Sequence, residues 1–130
     1  MAPENPLAAL RAAAEAVRHQ LQVNSYDAAA VQRLDDLIEA QRPAITDAER
    51  EGVIKALGCF LGQCMVETYQ GTWAAGPDGT TGIGIRGDHF FNPFYRVSQQ
   101  LAQGPAESVA AFFASIPARL ASEPRRKTWI

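Results

Sequence analysis

The chain has 130 residues, 47% of them hydrophobic and 20% charged, with a formal net charge of −2 and a pI near 5.6. That length fits one domain and can bury a sufficient core without a disulfide or metal, and the composition excludes a bulk disordered chain. The acidic balance also argues against a duplex-binding protein, which needs a basic face to meet phosphates.

Two cysteines, Cys59 and Cys64, are too few for a secreted disulfide scaffold. Both fall in one predicted helix, about 140° apart around its axis, so they cannot bridge each other there, and reduced buried thiols are expected. The N-terminal stretch carries Glu4, Arg11 and Glu15 among alanines, unlike a signal peptide, and no run approaches the length of a membrane span. A cytoplasmic protein is therefore expected. The abundance of Ala, Arg and Pro points to a GC-rich bacterial genome.

The first predicted helix runs from Asn5 to Gln22, with Leu7, Leu10, Ala14, Val17 and Leu21 as one apolar stripe. Arg11 and Glu15, four apart, are placed to pair on its surface. Ser25 or Asp27 caps a second helix ending near Gln41, whose apolar face is Val31, Leu34, Leu37 and Ile38. Asp35 and Asp36 read as its solvated side.

Thr46-Asp47-Ala48-Glu49 is a capping box, and the helix it opens runs to Gln70 with Gly71 as its left-handed stop. So little of this helix is polar that it must be surrounded by the rest of the domain. Gly58 and Gly62, four apart, allow a neighbouring element to approach it closely. The period then changes. Thr72–Ala75, Thr80–Arg86 and His89–Phe91, separated by Pro77-Asp78-Gly79 and Gly87-Asp88, predict a three-stranded antiparallel meander. Asn92-Pro93 opens a fourth helix that buries Phe94, Val97 and Leu101 and stops at Gly104. Pro105 starts the last helix, with Val109, Phe112, Phe113 and Ile116 inward and Pro117 bending or ending it. The expected architecture is α+β: N-terminal helices, a central buried helix, the meander and two C-terminal helices. Residues 1–120 form the domain, and residues 121–130, with Arg125, Arg126 and Lys127, form a flexible tail.

No catalytic or metal-binding set emerges. Gly82-Ile83-Gly84 lacks the helix that would present its N-terminus to a phosphate. The cysteines diverge, and His89 reads as an exposed histidine at a hairpin tip. No cofactor is implied. One residue is out of place: Glu67 projects within the apolar face of the central helix, where a carboxylate needs a partner such as the Trp73 indole, Arg86 or Arg96.

Leu57-Gly58-x-x-Leu61-Gly62, Gly71-x-Trp73, Asn92-Pro93-Phe94-x-x-Val97 and Glu107-Ser108-Val109-x-x-Phe112-Phe113 together resemble small uncharacterised bacterial domains of the immunity-protein-like kind. The resemblance covers Thr46 to Pro117 and rests on glycines and core aromatics. It implies a non-enzymatic protein-binding module, of the immunity or antitoxin type, whose partner is another protein such as a toxin. Mild acidity suits a basic partner. Trp73, Asp78, Arg86, Asp88 and His89, on the exposed side and tips of the meander, are the expected contact residues. The alternative is a small-molecule-binding protein or small enzyme with a pocket at Glu67. A homodimer through the first helix is the third possibility; nucleic acid and membrane partners are not expected.

Overall fold

A computed structural model describes residues 6–87 and 89–121. It is an α+β fold in the expected order: α1 (Pro6–Leu21), α2 (Ala28–Gln41), α3 (Asp47–Tyr69), β1 (Thr72–Ala75), β2 (Thr81–Ile85), β3 (His89–Phe91), α4 (Pro93–Gln103) and α5 (Val109–Ala121), with a short 3-10 helix at Gly104–Glu107 before α5. The three strands form one antiparallel meander in the order β1-β2-β3. No described helix is long and apolar enough to cross a membrane. Of the tail expected over 121–130, only Ala121 is described, as the last residue of α5; the basic residues lie outside the described region.

Local chemistry sets the helix starts. The Asp27 carboxylate accepts from the Ala30 backbone N–H at 3.0 Å and from the Ser25 hydroxyl at 2.7 Å. Thr46 and Glu49 close both halves of the capping box, and Asn92 caps α4 ahead of Pro93. The stop of α3 differs from expectation. Gln70 itself takes the left-handed conformation (φ 57°), while Gly71 makes room for the Ile83 side chain packed against it.

Helix α3 is the centre. Leu57 to Met65 are buried without interruption, because α1 covers one side, α4 another, and the inner face of the sheet a third. The glycine notches admit rings rather than backbone alone: Phe94 fills the space over Gly58, and Trp73 the space over Gly62. Helices α2 and α5 pack together on the remaining side. The alternation of the sheet puts the row Trp73–Ile83–Phe91 and the pair Ile85–His89 inward.

Helix α5 departs from the sequence reading in its start, at Val109 rather than Pro105, which lies in the 3-10 helix, and it does not end at Pro117. It continues through Pro117 to Ala121. Proline supplies no N–H to the carbonyl four residues back, here that of Phe113. The Tyr69 hydroxyl donates to that oxygen at 2.9 Å instead.

The N-terminus of α5 is capped by three elements. Val109 N–H donates to Gln100 Oε1 at 2.8 Å, Ala110 N–H to Asp35 Oδ2 at 3.1 Å, and Ala111 N–H to Ser108 Oγ at 3.1 Å. The Ser108 hydroxyl donates to Asp35, and Gln100 Nε2 donates to Asp35 Oδ1 at 3.0 Å. Asp35 is only 8% exposed, so its place on a solvated face is corrected: α5 docks over it and supplies its partners. The surface pairing on α1 is corrected as well. Glu15 accepts from Arg18 and from the Tyr26 hydroxyl, which ties α1 to the loop before α2.

Candidate functional site

Six residues carry the sequence-based expectation, and the fold divides them. Glu67 is exposed, correcting its place within the apolar face. The continuously buried stretch of α3 ends at Met65, and in the turn that follows Val66 and Tyr69 stay half-buried while Glu67 is exposed. Its partner is Gln63, whose Nε2 donates to Glu67 Oε2 at 3.0 Å. The Trp73 indole N–H donates to Gln63 Oε1 at 3.2 Å, so the amide of Gln63 joins the two residues in one line. Sequence reading passed over Gln63 because it lies in the apolar stretch. That a buried amide stands within reach of an indole and a carboxylate emerges only with the packing.

His89 is 4% exposed and sits in β3 opposite Ile85, which corrects its reading as an exposed turn residue. Strand β3 has the expected bounds, His89–Phe91, and its pairing with β2 turns His89 inward. Arg86 is exposed in the β2–β3 turn, where it takes a left-handed backbone (φ 57°). Asp88 lies outside the described residues. Asp78, in the β1–β2 turn, accepts from the Thr80 N–H at 3.0 Å and the Thr80 hydroxyl at 2.6 Å, closing that turn on itself. The structure thus joins Trp73 to Glu67 and leaves Arg86 at a separate tip.

The thiols offer no activated nucleophile. Cys59 and Cys64 are free and buried, and burial pushes both above the ordinary cysteine value, Cys64 furthest, with the Asp27 and Glu67 charges adding to it. Among the described residues no three His, Cys, Asp or Glu side chains converge as a metal site requires.

Trp73 has a second neighbourhood. Its ring lies over Gly62 with its centroid 6.1 Å from that of Phe94, and the indole N–H is held by Gln63, so its position is fixed on three sides. The remaining side faces a groove of about 340 Å³ lined by Pro6, Leu7, Leu10, Trp73, Ala75 and Thr81. The α1 stripe explains it. Ala14, Val17 and Leu21 are buried, whereas Leu7 and Leu10, nearer the start of the helix, are half covered.

One wall of the groove is β1, a margin of the sheet. The Gly76 N–H donates to the Thr80 carbonyl at 2.8 Å, marking Gly76 and Thr80 as a hydrogen-bonded pair. In an antiparallel ladder such pairs alternate, so Ala74 and Thr72 face β2 while Trp73 and Ala75 direct their N–H and C=O outward. Among the described residues no other strand pairs with that edge. The arrangement offers backbone donors and acceptors beside a fixed aromatic wall. No family model matches the chain, and neither the curated proteins nor the solved structures searched include a match to it.

Proposed function

We propose that this chain is a non-enzymatic protein-binding module of a bacterial cytosol, of the immunity-protein kind, and that it takes an extended segment of its partner along the outer edge of β1. The observation that supports this reading is the coincidence of an apolar groove with a strand edge that no described strand pairs. Strand addition draws affinity from main-chain hydrogen bonds and specificity from pockets for alternate side chains. The outward N–H and C=O of Trp73 and Ala75 supply the first, and the groove beneath Trp73 receives an apolar side chain of the added strand. Glu67, joined to Trp73 through Gln63, stands at the surface nearby as a polar contact for the same segment. The resemblance noted above supplies the partner class, a toxin protein.

Ala75→Pro tests this directly. Proline there removes an outward N–H without touching a bond to β2, and an edge strand tolerates it. The expected result is a protein partner captured in stoichiometric amount by the wild-type chain in its native host and lost with A75P, whose circular dichroism is unchanged. Capture that A75P leaves intact, or a chain that brings down no stoichiometric protein, overturns the reading. Self-association through the Leu7–Leu10 face, visible as a dimer in light scattering of the full chain, assigns the groove to a second copy instead.

A further inference from the structure

Gln63 and Glu67 stand one turn apart on α3, and β1 lays the Trp73 ring against the same stretch at Gly62. The three side chains differ in exposure: Gln63 is 6% exposed, Trp73 is half-buried and Glu67 faces solvent. They differ in hydrogen-bonding role as well. An indole N–H only donates and a carboxylate only accepts, whereas an amide donates at one end and accepts at the other. The amide between them therefore has one orientation that satisfies both neighbours. Its Nε2 turns to Glu67 at 3.0 Å, and its Oε1 turns to the Trp73 indole at 3.2 Å.

The line has a direction. Turned over, Gln63 would set its amino group against the indole N–H, two donors face to face where a buried amide has little water to relieve them. Trp73 cannot reverse its role, so the group at position 67 decides which end of the amide the indole meets. The ring occupies the Gly62 notch with Phe94 beside it, and its remaining side is a wall of the groove along β1. An indole deprived of its acceptor must leave the notch to find water, and the groove is the side left open to it.

We propose that Glu67 is a positioning residue for this groove: acting through the Gln63 amide, its carboxylate holds Trp73 as the wall against which an added strand lies. The proposal rests on the β1-edge reading for what enters the groove, and it gives Glu67 a part beyond direct contact with the partner. Because Glu67 is exposed and Gln63 is not, one surface charge governs a group inside the fold.

The test follows the Trp73 indole N–H by ¹⁵N NMR of the full chain in a Trp129→Phe background, where it is the only indole. Glu67→Lys replaces an acceptor by a donor, and is expected to speed exchange of the indole proton with water about tenfold, as the loss of one hydrogen bond implies. Glu67→Ala, which imposes neither orientation, falls between E67K and the parent chain. Adding Gln63→Glu to E67K supplies each donor with a carboxylate oxygen and returns exchange towards the parent rate. E67K that exchanges no faster than E67A, or a double variant as fast as E67K, overturns the relay; circular dichroism checks that each variant is folded. The protein partner captured by the wild-type chain is expected to be lost with E67K and recovered with the double variant. That recovery separates positioning from contact, because the double variant still carries the reversed charge at the surface. Capture by E67K equal to wild type overturns the role at the groove. The indole measurement needs no partner, so failure of the relay and failure of the β1-edge reading are separable.

Discussion

The Tyr69 hydroxyl donates to the Phe113 carbonyl at 2.9 Å, and the two rings pack with centroids 5.0 Å apart. It is the carbonyl that Pro117 leaves without its helical donor. Burial raises the Tyr69 pKa, so the phenol stays a donor at neutral pH. Tyr69→Phe is expected to cost about 1 kcal/mol of stability in urea denaturation, the net worth of one such bond. In a Pro117→Ala background the helix supplies its own N–H, and the cost of Y69F falls towards zero. Additive effects in this double-mutant cycle would show that the phenol does not substitute for the missing amide.

The cap of α5 ranks a second set of variants. Asp35→Ala strips acceptors from Gln100, Ser108 and the Ala110 N–H at once, and is expected to cost about 3 kcal/mol. Ser108→Ala removes one acceptor and one donor, at about 1 kcal/mol. Thermal unfolding that ranks S108A as the worse of the two contradicts a cap centred on Asp35.

Two glycines on α3 are expected to respond in opposite directions to the same change. A β-carbon at Gly62 collides with the Trp73 ring, whereas Gly52 faces open space on the exposed side. Gly62→Ala is expected to destabilise by about 1–3 kcal/mol through overpacking. Gly52→Ala is expected to stabilise by about 0.5–1 kcal/mol through the lower backbone entropy of its unfolded state. Trp73 reports the first directly: in a Trp129→Phe background its fluorescence is the only indole signal, and it shifts in G62A and not in G52A.

Acid stability has a local component at Glu15. Hydrogen bonds from Arg18 and then Tyr26 hold its carboxyl down at about 2, from an ordinary value of 4.5. A depressed folded pKa means that its contribution is fully present above the ordinary value and is lost as pH falls from there through about 2. Tyr26, pushed up to about 12 first by burial and then by Glu15, contributes below pH 10 and loses that contribution as pH rises through 12. Carboxyl ¹³C titration of the folded chain should place Glu15 near 2, and Tyr26→Phe should raise it. A Glu15 midpoint that Y26F leaves unmoved would remove Tyr26 from the pair.

Arg86 occupies a left-handed backbone position where glycine carries no steric penalty. Arg86→Gly is expected to raise stability by about 1 kcal/mol, read as a shift of the urea midpoint at constant slope. If Arg86 also contacts the partner, the same variant binds more weakly while folding more firmly. Unchanged affinity would confine Arg86 to the turn.

Local chemistry made most of the fold legible. The Asp27 cap, the Thr46–Glu49 box and the Asn92-Pro93 start each depend on a few adjacent residues, and each forms as read. Glu67 and Asp35 exchange places for the opposite reason. A helical wheel gives an angle but not which turns are covered, so it puts Glu67 inward on a turn past the continuously buried stretch, which ends at Met65. Asp35 was assigned outward because the helix that covers it lies 73 residues further on at Ser108. The groove was half legible. The Leu7–Leu10 stripe was visible, and a meander necessarily leaves β1 at its margin, but only packing shows that the two meet at Trp73.

The three-way cap also governs the order of assembly. Helix α5 finds its acceptors on α2, on α4 and at Ser108, so its first turn is complete only when the chain between Asp35 and Ser108 has already folded. Contacts across such a separation form late and reward a loop closure already made. Helix α5 therefore acts as a latch: a nascent chain that has emerged only as far as the meander holds α2 with its aspartate unmatched. The Asp35 carboxylate has its full set of partners only when the last helix closes over it.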